Sequence, residues 1–401
     1  MTRPFDDRRI LLGVTGGIAA YKSAWIARLL TQAGAAVDVI LTRSASEFIG
    51  AITFEALTGR PVHTALIAEG RALDHIKLAR AAQAIVVAPA TADFIARASN
   101  GHADELLSAT LLASTAPVLI VPAMNDRMWA HHQTRANVAH LRDIGYRVLE
   151  PDEGALAVGE GVGPGRLPEP ETIVAHVARL LEPPGPISGK RVVVTAGPTR
   201  EAVDPVRFLS NRSSGKMGVA IAAAAWRRGA DVELIAGPLA VPPPPGAHVT
   251  TVETTEQMRS AVEAAIATAD ALVMAAAPAD FRPAEPATQK IKKSNAPATI
   301  ALEPTPDILA STIGARSGKL VTVGFALETN SAVEHGRGKL AAKQLDLIVV
   351  NDATEPGAGF AVDTNRVTFI NRDGHVDAQP LLAKDDVADL ILDRVERLMR
   401  S

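Results

Sequence analysis

Between Thr195 and Gly218 the chain reads TAGPTREAVDPVRFLSNRSSGKMG, and Arg207, Asn211, Arg212, Ser213, Ser214 and Lys216 gather hydrogen-bond donors and positive charge just before a run of small residues. Donors clustered in this way suit a ligand carrying both phosphate and carboxylate, because a bond to an ionised acceptor is stronger than one to a neutral acceptor. Near the other end, GVTGGIAAYK (Gly13 to Lys22) joins an apolar run to a helical pattern. Small residues at such a junction let backbone amides approach a phosphate at the helix N-terminus. The same glycines equally suit a tight turn needed for packing, since the full G-x-G-x-x-G spacing is not met.

The elements that must position these groups are short and apolar. Ile10 to Val14, Ala36 to Thr42, Ala84 to Ala88 and Pro117 to Pro122 read as buried strands alternating with helical patterns. Strands near Val192 to Thr195, Asp231 to Ala236, Ala271 to Ala275, Leu320 to Phe325 and Leu345 to Val350 repeat the theme. Such alternation predicts an α/β fold with two doubly wound, Rossmann- or flavodoxin-like domains and mainly parallel sheets. LEPPGPISG (Leu181 to Gly189) breaks the pattern with prolines and glycines, which places domains at 1–182 and 190–401 with a linker at 183–189. At 401 residues two domains are also expected on size alone. AIVVAPATADF at Ala84 and ALVMAAAPADF at Ala271 are alike, a similarity that shared α/β grammar accounts for without duplication.

The composition is 47% hydrophobic, 21% charged and 3% aromatic, and the formal net charge is -3. That balance supplies no long-range attraction for nucleic acid or an anionic membrane surface. No apolar stretch reaches the length of a bilayer span or a secretory h-region, so the cytoplasm is the expected compartment. Cysteine is absent, which excludes disulfides, thiolate nucleophiles and cysteine-ligated metals within the chain.

Later strand ends in the first half read TRSASEF (Thr42 to Phe48), APATADF (Ala88 to Phe94) and PAMN (Pro122 to Asn125). Together with His75, and across nearly the whole first half, they resemble the flavin-dependent cysteine decarboxylase family. The resemblance implies FMN held by Gly16, Gly17, Ser44, Ala90 and Thr91, with His75 and Asn125 facing the substrate. It further implies oxidation of a cysteinyl thiol to a thioaldehyde, which can take up the electrons left by CO₂. His75 could then move a proton near neutral pH, and Asn125 could orient the departing carboxylate without a counter-charge. Read from the residues alone, His75 in D-H-I-K is an exposed or capping side chain and Asn125 a helix cap. One departure stands out: family members carry a cysteine in a flap before a G-P-G-R turn, whereas PDEGALAVGEGVGPGRL (Pro151 to Leu167) has Val158 at that position. Valine cannot donate a proton. Either Glu153 or Glu160 replaces it, or the domain releases an enethiol.

In the second half, Thr195 to Gly218 resembles the phosphopantothenate–cysteine ligase signature almost throughout. MAAAPADFRP (Met274 to Pro283), KIKK (Lys290 to Lys293), PTPDIL (Pro304 to Leu309), GFALET (Gly324 to Thr329) and the pair Lys339 and Lys343 extend the match. The resemblance implies CTP contacts at Ala275, Ala276, Asp280, Lys290, Pro306, Asp307, Ile308, Leu309, Phe325, Lys339 and Lys343. Asp280 falls in the metal region and is expected to hold Mg²⁺, Lys290 meets the triphosphate, and Arg207 and Lys216 take the substrate's phosphate and carboxylate. Without those matches, Lys339 and Lys343 at i, i+4 read as a solvated helix face. The implied reaction has the 4'-phosphopantothenate carboxylate attack the α-phosphate of CTP. Asn211 then orients the acyl-cytidylate and its oxyanion as the amine of cysteine attacks.

The whole chain is thus similar to the bifunctional decarboxylase–ligase family of coenzyme A biosynthesis. That similarity implies decarboxylase trimers and ligase dimers in a homo-oligomer of up to twelve copies. Two alternatives remain open: a flavoprotein that stops at the enethiol, and a nucleotide- and flavin-binding regulatory protein without full activity.

Overall fold

The computed structural model describes residues 4–67, 69–159, 161–292, 299–328, 332–352 and 362–400. The chain divides into two compact units, Met1–Glu182 and Pro183–Ser401. The first unit runs β1 (Arg9–Val14), α1 (Ala20–Gln32), β2 (Ala36–Leu41), α2 (Ala51–Thr58), β3 (Val62–His63), α3 (Asp74–Ala81), β4 (Ala84–Ala90), α4 (Ala92–Ser99), α5 (Leu106–Ala113), β5 (Val118–Pro122), α6 (Asp126–Ala130), α7 (His132–Asp143), β6 (Arg147–Val148), β7 (Asp152–Ala155), β8 (Val162–Arg166) and α8 (Pro170–Leu181). Its sheet has the order β3-β2-β1-β4-β5-β6, and every pairing is parallel.

Helices cover both faces of this sheet, so its strands are continuous apolar runs. Ile10, Leu12 and Val14 pack with Ile26, Phe54 and Ile173 on one side, while Leu11 joins Ile85, Phe94 and Leu107 on the other. The order of strands reverses between β1 and β4, and their carboxyl ends open a crevice there. β7 and β8 form a separate antiparallel hairpin.

The second unit runs β9 (Arg191–Ala196), β10 (Arg200–Ala202), β11 (Phe208–Ser210), α9 (Lys216–Arg227), β12 (Asp231–Ala236), β13 (His248–Thr251), α10 (Thr255–Ile266), β14 (Ala271–Met274), β15 (Phe281–Pro283), β16 (Leu302–Pro304), α11 (Ile308–Ser311), β17 (Val321–Glu328), α12 (Ala332–Ala342), β18 (Leu347–Asp352), β19 (Thr364–Asn365), β20 (Val367–Asn371), β21 (Val376–Ala378), β22 (Leu382–Ala383) and α13 (Lys384–Leu398). The main sheet has the order β13-β12-β9-β14-β17-β18-β20-β21. It is parallel up to β18 and antiparallel over β18, β20 and β21. The reversal falls between β9 and β14. Residues 183–189 belong to this unit's packing: Ile187 is fully buried, and Gly189 N–H donates to Gly229 O at 3.0 Å.

Both units are α/β with mainly parallel sheets, as the apolar runs predict. The edges differ from expectation. β3 and β6 have two residues each, too short to leave a period in the sequence, and the neighbouring strand's ladder creates them. Leu320 and Leu345 precede their strands and pack in the core.

Candidate active sites

In the first unit, the turn after β1 meets the ends of β4 and β5. Thr15 fastens it: its hydroxyl donates to Pro89 O at 2.9 Å and accepts from Thr91 N–H at 3.0 Å. Ser23 on α1 donates to Ala88 O at 2.6 Å. Gly16 is required by a close approach, because a Cβ there would lie 2.3 Å from the Cβ of Ser44. The resulting pocket, about 430 Å³, is walled by Gly16, Gly17, Thr91, Asn125 and the hairpin residues Ala155 to Ala157.

Asn125 is both a pocket wall and the N-cap of α6, its side chain accepting from Arg127 N–H at 3.0 Å. Thr91 likewise caps α4. Ser44 abuts the back of Gly16, and Ala90 is fully buried at the end of β4; neither side chain forms the wall. A glycine turn at the start of a 13-residue helix, facing a largely apolar pocket, fits the phosphate and ring system of a flavin mononucleotide.

His75 lies elsewhere. It sits on α3 in a shallow hollow with Leu66, Ile67, Ile76 and Leu112, and its buried Nδ1 has no hydrogen-bond partner. Within one protomer it is therefore not part of the Asn125 pocket. Val158 at the hairpin tip is fully exposed. Glu153 is exposed on β7 and does not line the pocket, while Glu160 lies outside the described residues. The proton-bearing lining side chains include Tyr21, Lys22 and Arg166. Lys22 donates to Leu167 O at 3.2 Å and to Glu169 at 3.3 Å, and Arg166 pairs with Glu169. The Tyr21 side chain makes no hydrogen bond among the described residues, and sequence reasoning missed it.

In the second unit, a pocket of about 370 Å³ sits where β9 and β14 diverge. Asn211, Ser213 to Gly218, Ala275 to Pro278, Asp280, Phe325, Lys339 and Lys343 all line it. Gly215 adopts φ +77° to turn the chain into α9. Gly218 lets α9 press on β9, since a Cβ there would fall 2.6 Å from Ala196 Cβ. The Asn211 side-chain amide donates to Ala277 O at 3.2 Å and Pro278 O at 2.9 Å. These contacts hold the amide nitrogen, and Ser213, Ser214 and Lys216 bring further donors to the same wall.

Lys216 pairs with Asp363 at 2.6 Å and Lys343 with Asp307 at 2.9 Å. Burial raises the Asp307 carboxyl, but Lys343 and the Ala310 N–H outweigh it and hold it below its usual range. Several expected contacts fall outside the pocket. Ile308 and Leu309 are buried in the core, Pro306 does not line the pocket, and Asp307 meets it only through its pairing with Lys343. Lys290 is exposed beyond it. Arg207 does not face the pocket either, because it pairs with buried Asp204 and donates to Ile291 O at 2.9 Å. Asp204 also accepts from Ile291 N–H at 3.1 Å, and the guanidinium holds its carboxyl well below the carboxylate range.

Among the described residues no cluster of three or more His, Cys, Asp or Glu side chains could hold a metal. Among the described residues Asp280 is the one carboxylate in the pocket wall, a donor set that fits magnesium carried mainly by a ligand's phosphates. Asn351, Asn365 and Lys384 also line the pocket. They had no motif to announce them, because tertiary pairing brings them in. No helix among the described residues is long and apolar enough to cross a membrane.

Two family models match the chain: Flavoprotein over residues 2–182, and the DNA/pantothenate metabolism flavoprotein C-terminal domain over residues 187–399. The coenzyme A biosynthesis bifunctional protein CoaBC of Bacillus subtilis (strain 168) is 46% identical over 400 residues, spanning 98% of each chain. The protein of that name from Mycobacterium tuberculosis (strain ATCC 25618 / H37Rv) is 48% identical over 403 residues, spanning 97% of this chain and 96% of that one. A solved C-terminal domain of a CoaBC protein is 39% identical, covering 54% of this chain and 98% of that chain, with a TM-score of 0.46. With both halves matched at these identities over nearly their full length, the chain belongs to the CoaBC family of bifunctional coenzyme A biosynthesis proteins.

Proposed function

We propose that the Pro183–Ser401 unit joins cysteine to 4'-phosphopantothenate at the expense of CTP, and that the Met1–Glu182 unit decarboxylates the product with FMN to 4'-phosphopantetheine. The observation that carries the ligase reading is the convergence of Asn211, Lys216, Asp280, Lys339 and Lys343 on one crevice at the sheet's reversal point. The acid's carboxylate oxygen attacks the α-phosphorus, a P–O bond forms, and pyrophosphate leaves. Asp280 would hold magnesium, which would supply positive charge for the phosphates, while Lys339 and Lys343 offset the charge gathering on the leaving group. The amine of cysteine then attacks the acyl carbon and CMP departs. Asn211, whose amide nitrogen is bonded to Ala277 O and Pro278 O in the pocket wall, accepts from that amine through Oδ1 and aims it. Lys216 takes the acid's anionic end. Lys290 reaches the triphosphate once the ligand is in place, and Asp204 with Arg207 positions its loop by gripping Ile291.

For the first unit, FMN, when bound, would take two electrons from the cysteinyl group so that CO₂ can leave, and would return them to the enethiol that results. Gly16 and Gly17 present backbone to the phosphate, Thr91 stands in the pocket wall, and Ser44 and Ala90 pack behind that wall. Asn125 orients the carboxylate that departs. His75 acts on a second copy's pocket, which agrees with its partnerless Nδ1 in an apolar surface hollow. Trimers of this unit and dimers of the ligase unit, in a dodecamer, follow from the family resemblance, as does a cytoplasmic location. Val158 favours a second reading, release of the enethiol. Tyr21 counters it, since it lines the pocket and could supply the proton that accompanies two electrons returned by reduced flavin.

The test is product analysis by mass spectrometry with 4'-phosphopantothenate, cysteine, magnesium and either CTP or ATP. CMP release with CTP alone supports the nucleotide assignment, and AMP release with ATP at equal rate overturns it.

A further inference from the structure

Lys384 is the first residue of the 15-residue helix α13 and is 6% exposed. A buried ammonium at a helix N-terminus faces the positive end of the helix dipole, where anions are favoured and cations are not. Its Nζ donates to Val362 O at 2.5 Å. Burial first, then the charge of Lys216, push the ammonium below its usual range against the pull of Asp363. Beside it, Asn365 is 1% exposed, and among the described residues its buried Oδ1 has no hydrogen-bond partner. Its Nδ2 makes a long contact, 4.0 Å, with Met217 Sδ.

Both residues line the second pocket. They stand together because β19 and β22 pair Asn365 with Leu382 and Thr364 with Ala383, directly before α13 begins. A buried lysine at the wrong end of a helix and an amide oxygen left unpaired are each unfavourable. One ligand relieves both: an anion that carries a hydrogen-bond donor close by.

We propose that Lys384 and Asn365 form a phosphoryl subsite of the ligase pocket, with Lys384 on a phosphoryl oxygen and Asn365 Oδ1 accepting from a hydroxyl or N–H group of the same molecule. The proposal rests on the ligase reading. Two substrates offer this chemistry, the nucleoside triphosphate and the phosphorylated acid. The C-terminal segment would thus complete the phosphate-binding surface begun by Ser213 to Lys216 on the first strand-to-helix turn.

The test uses the full chain and its Lys384→Met variant, titrated calorimetrically with magnesium CTP and separately with 4'-phosphopantothenate. A tenfold or greater rise in Kd for CTP assigns the subsite to the nucleotide, and the same rise for the acid assigns it to the acid's phosphate. Lys384→Arg is expected to stay within about threefold of the parent, because the charge persists. Asn365→Asp keeps size but sets a carboxylate against the phosphate, and is expected to weaken the same ligand at least tenfold even if Lys384→Met folds poorly. Unchanged affinity for both ligands in the Met and Asp variants overturns the proposal, as does an Arg variant no better than Met. If the parent chain itself binds no CTP and releases no CMP, the ligase reading fails instead.

Discussion

Replacing Gly16 with Ala tests the flavin-site geometry at a single methyl group. The new Cβ would stand 2.3 Å from Ser44 Cβ and 2.8 Å from the Ser44 carbonyl carbon. Carbon atoms rest at about 3.5–4.0 Å, so the turn after β1 and the chain after β2 must separate by an ångström or more. Ser44 cannot swing aside, since part of the clash is with its backbone. Overpacking of this kind costs about 1–3 kcal/mol, and the displaced turn carries the amides that would meet the phosphate. Gly17→Ala is the control: its Cβ would lie 3.9 Å from the nearest atom, Thr91 Cγ2, at ordinary contact distance. Flavin content of the purified protein, FMN fluorescence quenching and thermal unfolding are the assays. Gly16→Ala should lower the melting temperature and weaken FMN roughly 5- to 100-fold, each 1.4 kcal/mol being tenfold, whereas Gly17→Ala should unfold like the parent. A Gly16→Ala protein with parental flavin content and melting temperature would refute the reasoning.

Asn211→Ala removes the two bonds to Ala277 and Pro278 and the acceptor for the amine; CMP release should fall about 10²-fold through loss of positioning, with pyrophosphate release less affected, as separate assays of the two products would reveal. His176 on α8 is held to about 4, mainly by burial and further by Arg179. The unfolded chain therefore protonates first, near 6.5, and the first unit should lose about 1–3 kcal/mol as pH falls from 6.5 to 4; a His176→Leu variant that folds should show a flatter pH dependence by denaturant titration, and an identical slope contradicts this. Tyr21→Phe should leave CO₂ release intact while enethiol accumulates by mass spectrometry, and full 4'-phosphopantetheine formation would remove Tyr21 from the final protonation.

Buried parallel strands were legible because burial on both faces makes them continuous apolar runs, as in RILLGV and RVVVTA. The pocket walls were legible for a related reason: ligand turns follow strand ends directly, so Gly16, Thr91 and Ala275 to Asp280 lie in sequence beside the runs that place them, while Asn211 was marked by its donor cluster. Side-chain direction was less accessible. Ile308 and Leu309 sit in a nucleotide-like segment yet point into the core, and Arg207 belongs to the donor cluster yet binds Asp204. Periodicity cannot tell a donor facing a ligand from one facing a buried carboxylate. Asn365 and Lys384 were invisible because a two-residue ladder of strands separated by other elements brings them to the pocket.

The most direct measurement is the product profile of the purified full chain given 4'-phosphopantothenate, cysteine, CTP and magnesium. The account predicts 4'-phosphopantetheine, CO₂ and stoichiometric CMP. Accumulation of the enethiol would contradict a completed reduction at the Tyr21 pocket, and the absence of CMP would contradict the ligase assignment itself.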